Sequence, residues 1–195
     1  MAKPVVQLVR SPSAELRREI HDLYVSMWLR TYNHQAVFLD DADAAAVLVS
    51  LGYTITVEEA RLLSDAETED LMVKWLEREL VYASSPVVDL WTVTCGGQLE
   101  GLAYISLRQD YIELAQLVVT TMAHIEQIVG AIVTYYPDLP IVGTVREKNE
   151  FLIHFYTARF NAVRCDKLSE WHARKGTYVA LEVSHADALI ASSVE

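Results

Sequence analysis

Residues 140–160 read Pro-Ile-Val-Gly-Thr-Val-Arg-Glu-Lys-Asn-Glu-Phe-Leu-Ile-His-Phe-Tyr-Thr-Ala-Arg-Phe, and this stretch is the most informative part of the sequence about the fold. Its first part is rich in β-branched side chains and predicts a strand over residues 140–145. Asn149 follows a polar break and is placed to cap a helix, because its side-chain oxygen can accept a bond from an early backbone N–H. The apolar residues after it recur at helical spacing: Phe151, Leu152, Phe155 and Ala158. The stretch therefore predicts a strand, a loop and a helix that carries Tyr156.

This spacing resembles the second half of the GNAT superfamily of N-acetyltransferases, enzymes that transfer an acetyl group from acetyl-CoA to an amine. In that family a strand is followed by an Asn near a helix start, a Tyr seven residues later and a Phe that closes the helix. Asn149, Tyr156 and Phe160 match these positions. Two features depart from the pattern, since Arg159 replaces a Gly and the step from Tyr to Phe is one residue shorter.

The N-terminal part of the chain predicts one strand followed by a long helix. Val5 to Arg10 has the composition of a strand. Ser11 and Pro12 then combine a capping residue with a proline at the first helical position. Apolar residues at helical spacing continue this helix to about Tyr32. GNAT proteins also begin with a strand and a helix.

Residues 36–64 predict extra helical material, including a Thr56/Glu59 capping box. A longer helix opens at Ser64, and Pro86 ends the helical part. In GNAT proteins this region borders the acceptor site. An ordinary surface insertion or a subunit contact would give the same sequence pattern.

The C-terminal part alternates strands and helices. Gly96-Gly97 lies between two β-type runs, 89–95 and 99–107, and predicts a hairpin. The later elements are a strand at 111–120, a helix at 122–136, the strand and helix of the opening stretch, and closing strands at 162–168 and 177–183. This order resembles the GNAT fold. It implies one α/β (α+β) domain over residues 1–195, with a mixed six- to seven-stranded sheet flanked by helices in which 111–120 and 140–145 are parallel neighbours.

Two residues are candidates for the chemistry that the resemblance implies. Tyr156 is the expected general acid, since a phenol is protonated at neutral pH and can protonate a departing thiolate. Glu113 is the expected base, because it is a lone carboxylate in an apolar strand. Alternation would place Glu113 on one face with Ala115, Leu117 and Val119 and turn Gln116 the other way. Burial of that face would raise the pKa of Glu113. Tyr156 as a plain helix residue and Glu113 as a solvent-facing one are the alternatives.

The resemblance also implies how acetyl-CoA would be held, with its pantetheine between the two parallel strands and its pyrophosphate at the helix start near residue 121. The implied contacts are Leu117, Val118, Val119, Thr121 and Asn149. The glycine-rich loop of the family is missing, because His124, Gln127 and Val129 stand at its Arg and Gly positions. Glu126 adds a negative charge there, although Thr121 can still cap the helix. Weak or absent acetyl-CoA binding, compared with a typical member of the family, is therefore expected.

Composition narrows the remaining classes of protein. The net charge of −11 argues against a nucleic-acid backbone as the main partner and is compatible with a cationic substrate. The two cysteines, the lack of a signal-peptide pattern and of an apolar run of membrane-spanning length predict a cytoplasmic protein. His spacing predicts no metal site. An N-acetyltransferase for a small-molecule or protein amine and a catalytically degenerate interaction module both stay open, as does a homo-oligomer or larger assembly.

Overall fold

A seven-stranded mixed sheet forms the centre of the structure, a computed structural model that describes residues 3–83 and 89–193. In their order across the sheet the strands are β1 (Val5–Val9), β2 (Asp89–Cys95), β3 (Gln98–Leu107), β4 (Ile112–Val119), β5 (Ile141–Arg146), β7 (Tyr178–Val183) and β6 (Val163–Cys165). Neighbouring strands are antiparallel except β4 and β5, which are parallel. The mixed sheet and its parallel pair are confirmed.

Helices cover both faces of this sheet. They are α1 (Ala14–Thr31), a 3-10 helix (Val37–Asp40), α2 (Ala44–Ser50), α3 (Val57–Ala60), α4 (Asp65–Ala83), α5 (Met122–Tyr135), α6 (Glu150–Phe160), α7 (Glu170–Lys175) and α8 (His185–Ser193). One face, called the α1/α4 face below, holds a core that includes Ile20, Tyr24 and Trp75. The other, the α5/α6 face, holds a core that includes Ile128 and Phe160. The two cores place the sheet between two helical layers.

Local sequence signals account for several element boundaries. Asn149 caps α6, because its Oδ1 accepts the backbone N–H of Leu152 at 3.1 Å. The Thr56/Glu59 capping box opens α3 with both of its hydrogen bonds present. Gly96 and Gly97 both have positive φ, 59° and 85°, as the tight turn between β2 and β3 requires.

The start of α1 differs from the sequence expectation. The cap is Ser13 rather than Ser11, since the Ser13 Oγ accepts the N–H of Leu16 at 3.1 Å. Pro12 therefore precedes the helix instead of opening it. The predicted helical end at Pro86 lies outside the described residues.

The end of the chain holds more helix than expected. The strand predicted over 162–168 is shorter in the structure, where β6 spans three residues. The helix α7 follows it, with Ser169 as its N-cap and Gly176, at a φ of +71°, as its C-cap. The helix α8 was not predicted either, and it packs against α5 and α6. In α6, Phe151 is 67% exposed, so it is not part of the buried side that the periodicity predicted.

Candidate active site

A gap between β4 and β5 is the centre of the candidate site. The two strands pair over three positions only, Ile112 with Ile141, Glu113 with Val142 and Leu114 with Gly143. Beyond Leu114, β4 runs on to Val119 without pairing to β5. Gly143 lies at the point of separation, where an added Cβ would meet only the Leu114 Cδ2, at 3.9 Å. The sheet therefore opens at its middle, with room beside the backbone.

A bulge in β4 changes which side chains border this gap. Leu114 pairs with Ile105 and Gln116 with Tyr104 on β3, so Ala115 is an extra residue in the strand. The predicted alternation is therefore wrong beyond Ala115. Leu117 and Val119 pack on the α5/α6 face, whereas Val118 packs on the α1/α4 face.

Glu113, the expected base, is on the α1/α4 face together with Gln116 rather than opposite to it. Its side chain is buried, and its Oε2 accepts hydrogen bonds from the Nε of Arg108, at 2.8 Å, and from Arg108 Nη2. The bond to Glu113 raises the pKa of Arg108, which stays charged. The Oε2 of Glu113 is thus occupied by an ion pair, and this makes Glu113 a weaker candidate for accepting a proton than the sequence indicated.

Tyr156, the expected general acid, lies on the α5/α6 face in the same apolar cluster as Leu117 and Val119. Its ring contacts those of Phe155 and Phe160, with centroids 5.7 and 6.0 Å away. Desolvation raises the pKa of its phenol well above the ordinary value. Tyr156 therefore keeps its proton at neutral pH and belongs to the apolar cluster that also holds two residues of the unpaired part of β4.

Asn149 has a neighbour besides the N–H that it caps. Its side chain lies near Tyr32, just beyond the end of α1, where it opposes the rise in the pKa of Tyr32 that burial causes. The start of α6 thus lies near the end of α1.

The junction between β4 and α5 is short. Only Thr120 and Thr121 separate the two elements, and the positions of the missing glycines, Gln127 and Val129, lie inside α5. Thr121 occupies the cap position but makes no side-chain cap bond, contrary to expectation. Thr120 Oγ1 donates to Glu100, which brings a carboxylate to the helix start. The junction has no loop that could surround a pyrophosphate.

Glu126 does not lie in the first turn of α5, as the sequence suggested, because the helix begins at Met122. Its carboxylate accepts two bonds from Arg159 at the end of α6, at 2.6 and 2.8 Å. The pair links α5 to α6. The negative charge of Glu126 is therefore neutralised by Arg159.

Solved structures with similar folds support the architecture. The chain is similar to the PaiA N-acetyltransferase from Thermoplasma acidophilum, a structure in complex with coenzyme A, with a TM-score of 0.54 and 14% identity over 92% of this chain and 99% of the other. It is also similar to Escherichia coli ElaA, with a TM-score of 0.51 and 11% identity over 94% of this chain and all of that protein. The chain has the GNAT fold. No family model matches the sequence, and no curated protein is similar enough to count as a relative.

On the α1/α4 face, this GNAT sheet carries a buried ionic cluster that the sequence did not reveal. Asp41 accepts hydrogen bonds from Arg146 at 2.7 and 3.1 Å and from the Thr177 hydroxyl at 2.8 Å. The Lys175 Nζ is 3.4 Å from the same carboxylate, and the side chains of Asp41 and Lys175 are at most 1% exposed. Arg146 ends β5, so the cluster fixes one border of the gap.

His172 in α7 lies next to this cluster. Its Nδ1 is 2.8 Å from the Ser169 Oγ and its Nε2 is 3.1 Å from the Thr144 Oγ1. Burial, and then the charges of Lys175 and Arg146, lower the pKa of His172 to about 4. Ser169 Oγ also accepts the backbone N–H of His172, as the cap of α7.

None of the helices within residues 3–83 and 89–193 combines the length and the apolar composition that crossing a membrane requires. No group of three or more His, Cys, Asp or Glu side chains within residues 3–83 and 89–193 is arranged to hold a metal ion.

Proposed function

We propose that the chain is an N-acetyltransferase that moves an acetyl group from acetyl-CoA to a primary amine by direct transfer. The observation that carries this proposal is the gap between β4 and β5, with Tyr156 in the apolar cluster beside it. Backbone groups of β4 beyond Leu114 are free of β5, so they are available to hold an extended thioester chain.

The residues present fit one end of acetyl-CoA better than the other. The gap suits the narrow pantetheine, which would lie against Leu117, Val118 and Val119. At the start of α5, the N–H groups of Met122 and Ala123 form no hydrogen bond with any described residue, so they can face an anion. The carboxylate of Glu100 lies beside these groups and would repel a pyrophosphate, and the missing loop would provide no further contacts to it. We therefore expect binding through the pantetheine, with little contribution from the pyrophosphate.

Acetyl-CoA would supply the activated acyl group as a thioester. Tyr156 would hold a proton at its Oη, which its raised pKa favours, and pass it to the departing sulfur. The apolar residues around Tyr156 would exclude water from the thioester. Asn149 would cap α6, the helix that carries Tyr156.

Replacement of Tyr156 by Phe tests this role. Turnover should fall by roughly 10²–10⁴, the usual range for the loss of a general acid. The dissociation constant of acetyl-CoA should hardly change, because the ring packing is kept. Tyr135→Phe is the matched control, since that hydroxyl accepts a bond from Arg10 at the surface. Equal turnover in both variants would remove Tyr156 from the mechanism.

A second candidate function is a GNAT-fold module that has lost catalysis and serves protein contacts. The structure where the pyrophosphate would bind favours this module. Only two residues separate β4 from α5, and the ion pair of Arg159 with Glu126 joins α5 directly to α6. Absence of acetyl-CoA binding at millimolar concentration would favour this module over the enzyme.

A further inference from the structure

Thr144 on β5 is the first residue beyond the part of that strand that pairs with β4, so its backbone borders the gap. The side chain of the next residue, Val145, packs in the core of the α5/α6 face. Alternation along the strand therefore places the Thr144 side chain on the α1/α4 face with that of Arg146, whose guanidinium lies 5.9 Å from the ring of Trp75. Thr144 is half-buried. A hydroxyl group thus lies at the edge of the gap, on the face opposite to Tyr156.

The Thr144 hydroxyl is joined to a buried imidazole. Its Oγ1 lies 3.1 Å from the Nε2 of His172, and the other ring nitrogen, Nδ1, lies 2.8 Å from the Ser169 Oγ. The His172 ring also packs edge-on against the ring of Tyr178 on β7, with centroids 4.8 Å apart. His172 is only 7% exposed. The Thr144 hydroxyl therefore connects the gap with a ring that solvent hardly reaches.

The helix that carries His172 is held at both ends. Ser169 caps the start of α7, where its Oγ accepts the backbone N–H of His172 at 3.3 Å. At the other end, the Lys175 Nζ lies 3.4 Å from the buried Asp41 carboxylate. The Lys175 carbonyl also accepts the backbone N–H of Ala42 at 3.0 Å. The imidazole is thus carried by a helix that is fixed at both ends, as a preorganised catalytic base requires.

The His172 ring is uncharged at neutral pH, because burial and the charges of Lys175 and Arg146 lower its pKa to about 4. A base this weak is poorly suited to deprotonating an alkylammonium, whose pKa is ~10, as for lysine. It can take the proton of a nitrogen that has attacked a thioester. That nitrogen becomes strongly acidic, because its lone pair is delocalised into the new amide as the C–S bond breaks. The site therefore suits an amine that arrives without a charge.

We propose that Thr144 and His172 are the proton acceptor of the acetyl transfer. The Thr144 Oγ1 accepts a hydrogen bond from the N–H of the neutral acceptor amine and donates its own proton to the His172 Nε2, while Nδ1 carries the ring proton. This inference rests on the proposed function. It transfers the role of base from Glu113, whose carboxylate is paired with Arg108. It also places the amine on the α1/α4 face, opposite to Tyr156.

The proton balance of this reaction is complete. The amine nitrogen attacks the thioester carbon and forms the C–N bond. The C–S bond breaks, and its electron pair leaves with sulfur, which receives a proton from the Tyr156 Oη. The nitrogen gives one proton to Thr144 as Thr144 passes its own to His172, so a neutral amine and a thioester become an amide and a thiol. The imidazolium then releases its proton to solvent, from which Tyr156 regains one.

The tautomer of His172 tests the pair without any reaction. Nitrogen NMR of the imidazole rings of the wild type at neutral pH should show a protonated Nδ1 and an unprotonated, hydrogen-bonded Nε2 for His172. The His172→Gln variant identifies these signals by their loss. Thr144→Val keeps the shape of the side chain, and it should move the Nε2 signal toward that of a nitrogen without a hydrogen bond. A protonated Nε2 would overturn the inference, because Thr144 could not pass a proton to it.

Kinetics test the catalytic role. CoA release from acetyl-CoA is measured with n-butylamine and with benzylamine, after subtraction of hydrolysis. Thr144→Val should lower kcat by roughly 10²–10⁴ and leave the KM for acetyl-CoA unchanged, whereas Thr144→Ser, which keeps the hydroxyl, should retain most of the activity. The double variant with His172→Gln should be no slower than Thr144→Val, because the two residues act as a unit. Thr157→Val is the matched control, since that exposed hydroxyl donates to the Ile153 carbonyl of the same helix.

The outcomes separate this inference from the proposed function. If Thr144→Val turns over like the wild type, or loses only melting temperature, the inference is overturned and the proposed function stands with another base. Strictly additive losses in the double variant would also overturn it, because they would show that the two residues act independently. If the wild type acetylates neither amine although His172 has the expected tautomer, the proposed function fails and the hydrogen-bonded pair has a structural role.

Discussion

Replacing Asp41 by Asn removes the anion of the buried ionic cluster. The Asp41 carboxylate neutralises Arg146 and Lys175 and also accepts the Thr177 hydroxyl, while its own side chain is fully buried. Loss of one partner of a buried pair costs about 3–5 kcal/mol, because the other charge remains in the protein without compensation. Two cations lose their counter-ion here, so we expect a loss of about 4 kcal/mol. For a domain of this size, that lowers the melting temperature by about 8–16 °C.

The assay is equilibrium unfolding in urea, followed by tryptophan fluorescence. Trp75 is a suitable reporter, since the Arg146 guanidinium lies 5.9 Å from its ring. Asp40→Asn is the matched control at the neighbouring position. Asp40 pairs with Lys148 and Arg61 at the surface, where such pairs contribute at most about 1 kcal/mol. A loss below about 1 kcal/mol for Asp41→Asn, equal to that of Asp40→Asn, would refute the account of the cluster.

Two further predictions concern stability. His172 has a folded-state pKa of about 4 against 6.5 when unfolded, so the unfolded chain takes up a proton first as the pH falls below 6.5. Between pH 6.5 and 4 the free energy of unfolding of the wild type should therefore fall by about 3 kcal/mol more than that of His172→Gln. Urea unfolding that shows the same pH dependence for the two proteins would contradict this. Gly130→Ala should destabilise by about 1–3 kcal/mol, because its Cβ would lie 2.6 Å from the Cβ and Oγ of Ser192 in α8. A gain of about 1 kcal/mol, as for an exposed helical glycine, would show that α8 does not pack there.

Local signals in the sequence were enough for most of the sheet and for the order of its strands along the chain. The Gly96-Gly97 turn and the Asn149 cap depend on the residue types themselves, so they can be recognised without knowledge of distant contacts. No residue type marks the bulge at Ala115, because an alanine also fits a regular strand. For that reason the predicted faces of Leu117 and Val119 were wrong.

The contacts of the polar residues were harder to predict from the sequence than the strands were. Asp41 and Arg146 are 105 positions apart in the chain, and no local pattern links them. The pairing of Arg108 with Glu113 depends on the turn before β4, which sequence periodicity does not describe.

Calorimetric titration of the wild-type protein with acetyl-CoA measures whether the gap between β4 and β5 holds this cofactor. We expect saturable binding with a Kd of about 0.1–1 mM, equal to about −5.5 to −4 kcal/mol, because the gap would hold the pantetheine while the junction at Thr120 and Thr121 adds little. Pantetheine alone should then bind nearly as well as CoA. Absence of binding at millimolar acetyl-CoA would contradict the enzymatic function, and low-micromolar binding would contradict the account of the pyrophosphate end.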